Sequence, residues 1–299
     1  TYHITYENNG YGDLTRQIDS ILHQFDLSLS TYMPESIISR INANQPDVEV
    51  DDKLIIVINE AKKVYEKTDG YFDITVGPVV NALGFGPEGQ VEFDSLIIDS
   101  LLQFVGMEMI QIRDNQVIKA KKEIILDVNA IAQGYSVDVV AEYLETMGIK
   151  NYLVEIGGEI KARGKNENGE VWRIGLDKPI ENNNTPGADL YTRLYLKNRS
   201  LATSGNYRKY YEKDGVKYTH SINPKTGYPV SQNLLSVTIF ADECITADAY
   251  ATACMVMGLE KSMDLVENID DISGYLIYND DNGNYQVWYS DELENDIID

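Results

Sequence analysis

Asp248 and Thr252 stand four residues apart in "ITADAYATA" (245–253), among neighbours mostly too small to cover a carboxylate. If the stretch is helical, residues i and i+4 share a face, so the acid and the hydroxyl point at one spot. Something small fits there. A competing reading makes Asp248 a first-turn acid that complements the helix dipole, with Thr246 as N-cap.

The chain has 3 histidines, His3, His23 and His220. The first two fall in a terminal strand and on a helix, where packing or surface roles are expected. His220 lies in "YTHSINPKTGYPV", a turn-rich stretch of polar groups suited to proton transfer. No His or Cys cluster has zinc spacing, and no Gly-x-Ser-x-Gly, P-loop or Gly-x-Gly-x-x-Gly occurs. Any metal is therefore expected to be hard and oxygen-bound, with Mg²⁺ favoured. Cys244 and Cys254, ten residues apart on one expected helix, cannot reach each other and read as small core residues.

Three further stretches bear on chemistry. "DVNAIAQGYSVD" (127–138) joins a strand to a helix through small residues, with Gly134 permitting close approach of a ligand to the backbone. Helix N-termini attract phosphate, although an ordinary turn capped by Asn129 or Ser136 reads equally well. "STYMPESIISRIN" (30–42) and "TDGYFDITVGPVVNALGFG" (68–86) have the Gly, Pro and aromatic content of loops that cover a flat ring. With 21 tyrosines in the chain, one loop Tyr proves little, and an acidic, Tyr-rich surface also suits sugar binding or protein contact.

The elements that must hold these residues follow from apolar spacing. Residues 1–6 alternate like a strand, and residues 14–24, 53–64 and 137–144 have helical periods, the last closed by Gly148 at C′. Short apolar pieces between 97 and 126 read as strands joined by tight turns. "YLVEI", "EIKARG", "WRIGL", "LYTRLYL" and "LLSVTIF" read as strands, as do the closing "GYLIY" and "YQVWY". Helical spacing returns over 247–257 and 259–266, and 178–189 reads as a polar loop. The mixture predicts an α+β class and one interleaved domain over 1–299.

Composition bounds the partners. Of 299 residues, 43% are hydrophobic and 24% charged, enough for a sizeable core. A formal charge of -23 argues against nucleic acid or an anionic membrane, and an anionic ligand would need a cation's help. No apolar run reaches the roughly 18 residues of a membrane span. The chain begins at Thr1, so a processed N-terminus and a removed export signal are expected.

In order along the chain, "STYMPESIISRIN", "TDGYFDITVGPVVNALGFG", "DVNAIAQGYSVDVVAEYLETMGIKNYLVEIGGEIKARG", "ATSGNYRKYYEKDGVKYTHSINPKTGYPV" and "TADAYATA" resemble the ApbE family, the FAD:protein FMN transferases. The resemblance implies a T-fold-related α+β fold and an enzyme that moves the FMN half of FAD onto a Thr or Ser hydroxyl of a target flavoprotein, releasing AMP. It implies Mg²⁺ held by Asp248, Thr252 and the Ala130 backbone carbonyl, and His220 as base. Asp248 is the other catalytic residue it implies. Tyr32, Tyr71, Phe72, Asp73, Asp127, Gln133 and Ile222 match or neighbour its flavin and nucleotide contacts, although many members carry Lys where this chain has Gln133. The family typically works outside the cytoplasmic membrane, in the periplasm and often lipid-anchored. FAD hydrolysis to FMN and AMP, a non-catalytic flavin carrier, and an acidic binding module remain as alternatives.

Overall fold

A computed structural model describes residues 1–86, 95–180, 187–206, 210–213, 216–219, 221–230 and 232–298, with the backbone alone at 95, 96, 210–213 and 216–219. His220 and part of the 178–189 stretch lie outside the described residues. From the N-terminus, β1 (Tyr2–Tyr6) leads to α1 (Thr15–Leu29), α2 (Ile37–Asn42), α3 (Asp52–Lys67), α4 (Gly77–Ala82) and α5 (Ser95–Leu102). The hairpin β2 (Ile110–Arg113) and β3 (Gln116–Lys119) precedes α6 (Asn129–Thr146). Then come β4 (Tyr152–Ile156), β5 (Glu159–Arg163), β6 (Trp172–Asp177), β7 (Leu190–Leu196), β8 (Ser200–Gly205), β9 (Tyr210–Lys213), β10 (Val216–Thr219) and β11 (Leu234–Ala241). Helices α7 (Cys244–Met257) and α8 (Leu259–Glu267) are followed by β12 (Ile272–Asn279), β13 (Tyr285–Tyr289) and β14 (Ile297–Ile298).

Local sequence explains most of these. The Asp51 side chain caps α3 by accepting the Leu54 N–H at 3.0 Å, and Leu54, Val57, Ile58, Ala61 and Val64 form its buried face. Gly148 closes α6 with φ +82°, as its position at C′ predicts. The β2–β3 turn places both Asp114 and Asn115 at positive φ, the conformation a two-residue hairpin requires.

One expectation fails. Residues 95–102 are helix rather than strand, and strands in that region occupy only β2 and β3. Ile98, Leu101 and Leu102 share one face and pack with Val79, Leu83 and Ile222. A short apolar run fits either period, and here a helical partner decided it.

The framework is a seven-stranded sheet in the order β1-β4-β5-β8-β11-β12-β13. Its neighbouring strands pair antiparallel. Side chains alternate across it: Val237, Ile239 and Ala241 of β11 join the core shared with α3 and α7, whereas Phe240 faces the other way. That opposite face packs on the smaller sheet β14-β7-β6 through Ile174, Leu176, Leu194 and Leu196. Near β1 and β4, α1 and α6 cover the sheet through Leu14, Ile18, Val137, Val140 and Leu144. The α+β class expected from the strand and helix mixture is thus observed. No helix among the described residues is long and apolar enough to cross a membrane.

Candidate functional site

Helices α6 and α7 meet where Gly134 lies against α7. The Gly134 N–H donates to Asp248 Oδ2 at 2.9 Å. A Cβ built on Gly134 would run into the Cys244 carbonyl oxygen and come within 2.7 Å of Asp248 Cβ. The missing side chain therefore makes room for the neighbouring helix, not for a ligand at the backbone as the sequence suggested. Ala247, Ala249, Ala251 and Ala253 are fully buried, so α7 packs closely on its surroundings.

Asp248 is buried, and among the described residues no basic side chain pairs with it; the Gly134 N–H is its one hydrogen bond. Burial pushes its carboxyl up to about 7, opposed only partly by that N–H. A buried carboxylate without a counter-charge is costly, and a bound cation removes the cost. Thr252, one turn on, has its hydroxyl 3.1 Å from Ser204 Oγ on β8. Ala130 lies one turn before Gly134 in α6. Its carbonyl oxygen has two lone pairs, so it has capacity for a partner beyond the helix ladder. Carboxylate, hydroxyl and carbonyl oxygens are hard donors, the kind Mg²⁺ prefers. Among the described residues no group of three or more His, Cys, Asp or Glu side chains could hold a metal, so a cation here would draw on backbone and hydroxyl oxygens.

The expected nucleotide-side residues gather around the start of α6. Asp127 Oδ1 accepts the Asn129 N–H at 2.9 Å, so Asp127, not Asn129 or Ser136, serves the open end of the helix. Burial raises its carboxyl above the usual range. The Asp127 N–H donates to the Ile74 carbonyl at 2.7 Å, and Val76 pairs with Ile125 in a parallel bridge. These bonds join the 71–76 segment to the entry of α6. Gly77 permits the approach, because a Cβ there would lie 2.5 Å from the Ile125 carbonyl oxygen. Asn129 Nδ2 reaches Thr31 Oγ1 at 3.5 Å, linking the turn that carries Tyr32. Tyr32 itself is 63% exposed.

Other expected contacts are engaged within the protein. Asp73 Oδ1 accepts both the Thr75 N–H and hydroxyl, at 2.7 and 2.6 Å. Thr75 Oγ1 in turn accepts the Gly106 N–H at 2.6 Å. Burial pushes the Asp73 carboxyl up to about 6 against the pull of the Thr75 bonds. Phe72 and Ile222 are buried in separate apolar clusters. Gln133 is exposed, and its Nε2 donates to Glu159 and, at 3.4 Å, to the Ile156 carbonyl. Tyr71 is held by two ammonium groups: Lys225 Nζ is 4.1 Å from its ring centroid, and Lys261 Nζ donates to its hydroxyl at 2.5 Å. Lys225 also pairs with Asp69 at 2.7 Å, tying the loop after His220 to the 69–73 turn.

The ApbE family model matches residues 1–276. The FAD:protein FMN transferase of Vibrio cholerae is 39% identical over 277 residues, covering 89% of this chain and 81% of that protein. Its counterpart in Haemophilus influenzae is 37% identical over 297 residues, covering 95% and 85%. Among solved structures, the flavin transferase ApbE from Vibrio cholerae superposes with TM-score 0.88 at 35% identity, covering 99% of this chain and 95% of that one. The apo form of the Pseudomonas stutzeri flavinyl transferase ApbE gives 0.86 at 32%, covering 98% and 92%. This chain belongs to the ApbE family. It is an enzyme, with the fold of those solved ApbE structures.

In this ApbE-family member the sequence reading passed over the groups that hold α6 and α7 together. Asp138 Oδ1 and Oδ2 accept the Cys244 and Ile245 N–H groups at 2.9 and 2.8 Å. Thr246 is not the cap of α7, because its hydroxyl donates to Glu60 at 2.9 Å. A signal for Asp138 was present: it falls between Val137 and Val139 on a helix whose residues 134, 137, 138 and 141 are all buried. An acid on an apolar face needs a partner. Asn42 was passed over too. Its amide accepts the Leu126 N–H and donates to the Leu126 carbonyl, at 2.8 and 2.9 Å, fixing the extended segment that leads into α6.

Proposed function

We propose that this enzyme is a Mg²⁺-dependent FAD:protein FMN transferase that moves FMN from FAD to a Thr or Ser hydroxyl of a target flavoprotein. The acceptor oxygen bonds to the FMN phosphorus, the pyrophosphate P–O bond breaks, AMP departs with the bridging oxygen, and the hydroxyl proton passes to a base. The observation that carries this reading is the buried Asp248, which has a single hydrogen bond and no counter-charge among the described residues.

Asp248, Thr252 and the Ala130 carbonyl would hold the cation. Mg²⁺, when bound, supplies neutralisation of pyrophosphate charge and stabilisation of the departing phosphate. His220 takes the acceptor proton, a role suited to imidazole near neutral pH. Tyr32 offers its exposed ring to the flavin. Asp127 and Gln133 lie on the nucleotide side, while Tyr71, Phe72, Asp73 and Ile222 shape the loops through the contacts described above. Most of the rate is then electrostatic and positional, as phosphoryl transfer demands. Residues 1–299 act as one domain, supported by the sheet that runs from β1 to β13. Family resemblance supports work in the periplasm or otherwise outside the cytoplasmic membrane, with a lipid anchor.

The test is intact-mass spectrometry of a target flavoprotein domain after incubation with this enzyme and FAD, with Mg²⁺ or with EDTA. A Mg²⁺-dependent gain of one FMN on a Thr or Ser is expected. Free FMN and AMP with an unmodified target would replace transfer by hydrolysis, and tight FAD binding without product would replace it by a carrier.

A further inference from the structure

We infer that Asp138 is a positioning residue that sets the register of α7 against α6 and thereby the geometry of the cation site. The inference rests on the reading that Asp248, Thr252 and Ala130 hold the metal. Two contacts tie the helices: Gly134 to Asp248, and Asp138 to Cys244 and Ile245. Asp138 is one turn after Gly134, and Cys244 is one turn before Asp248. The helices therefore run in opposite directions with these contacts one turn apart on each.

A single hydrogen bond would set only a distance. Asp138 uses both carboxylate oxygens on successive N–H groups of α7, which fixes rotation as well as translation of that helix. Those N–H groups belong to the open first turn, where a negative charge also suits the dipole. Helix caps ordinarily come from the helix's own N-cap residue, but Glu243 makes no such bond. The capping group is instead supplied by the helix that carries Ala130 and Gly134. Lys161 of β5 holds the carboxylate in place, donating to Asp138 at 2.9 Å and to Glu243 at 2.5 Å. A fractional shift of α7 would move Asp248 and Thr252 together away from α6, and the packing at Gly134 leaves little slack.

The experiment compares Asp138→Asn, Lys161→Gln, Ser262→Ala and Asp248→Ala in the full chain. Ser262 is a control near the far end of α7, where its hydroxyl donates to the Cys254 and Gly258 carbonyls at 2.9 and 2.7 Å. Mn²⁺ binding is read by electron paramagnetic resonance in the presence of FAD without target, alongside thermal midpoints. Asp138→Asn leaves an amide N–H facing a backbone donor, and is expected to weaken Mn²⁺ binding about tenfold or more, as loss of supporting partners of metal ligands does. Lys161→Gln is expected to weaken it by more than about twofold, and Ser262→Ala by less than that even if its midpoint falls as far. Mn²⁺ affinities of Asp138→Asn and Lys161→Gln matching Ser262→Ala would reduce Asp138 to a helix cap and overturn the inference. If Asp138→Asn fails to fold, Lys161→Gln decides by the same threshold. Unchanged Mn²⁺ binding in Asp248→Ala would overturn the metal reading itself, an outcome separate from failure of the Asp138 inference.

Discussion

The backbone N–H of Gly134 donates to Asp248 Oδ2 at 2.9 Å across the α6–α7 contact, although 114 residues separate them in sequence. The bond requires that Gly134 carry no side chain, since a Cβ would lie 2.7 Å from Asp248 Cβ and against the Cys244 carbonyl. Gly134→Ala is therefore expected to lower stability by about 1–3 kcal/mol, the usual cost of overpacking, despite alanine's better helix propensity. Chemical denaturation checks the stability, and FMN transfer should fall in the same variant. A stabilised, fully active variant would contradict the close packing.

Asp248→Ala should abolish Mg²⁺-dependent FMN transfer while leaving the circular dichroism spectrum intact. Adding Mg²⁺ to the FAD-loaded wild-type protein at pH 8 should raise its thermal midpoint, and the same addition should leave that of the FAD-loaded variant unmoved, because only a native-state ligand shifts unfolding. EDTA should cancel the wild-type gain. Full activity in a folded variant would remove Asp248 from the metal site.

Asp73 allows a pH test free of the metal. Burial raises its folded-state pKa from 3.8 to about 6. The unfolded chain releases that proton first, so the contribution is fully present below about pH 4 and is lost as pH rises through 6. Asp73→Asn keeps an acceptor oxygen for Thr75 without the charge. Its stability relative to wild type should therefore improve between pH 4.5 and 7.5, by about 2 kcal/mol for a shift of this size. Urea midpoints at the two pH values measure it, and a pH-independent difference would refute the assignment.

Tyr32 and Tyr71 should separate ligand binding from loop stability. Tyr32 is 63% exposed, so Tyr32→Ala should leave the thermal midpoint unchanged and weaken FAD binding roughly 2- to 10-fold, the range of one aromatic stacking contact. Tyr71 is held by a cation–π contact from Lys225 and a hydroxyl hydrogen bond from Lys261, and Tyr71→Ala should lower the midpoint through loss of about 0.5–1 kcal/mol from the first and about 0.5–1.5 kcal/mol from the second. Fluorescence titration of FAD and thermal melts read the two effects.

His220→Ala should slow transfer by roughly 10²- to 10⁴-fold, the usual contribution of a general base, while FAD affinity changes far less. Single-turnover rates and FAD titration give the comparison. Equal rates in the two proteins would remove His220 as base.

The helical period of 247–257 makes the pairing of Asp248 with Thr252 readable from residue order, because backbone geometry alone places i and i+4 together. The strands from Tyr152 onward are readable for the same reason, and α7 turns out to extend the expected helix back to Cys244. Residues 95–102 read as strand yet fold as helix, because a short apolar run carries no decisive period until α4 is beside it. The Gly134–Asp248 bond, the Asp138 clip on Cys244 and Ile245, and the Asp127–Ile74 link each join segments distant along the chain. Such contacts depend on which surfaces pack, and no local pattern encodes that. The raised pKa of Asp248 is likewise a property of its surroundings: residue order names the acid, whereas its exclusion from water arises when α6 and α7 close over it.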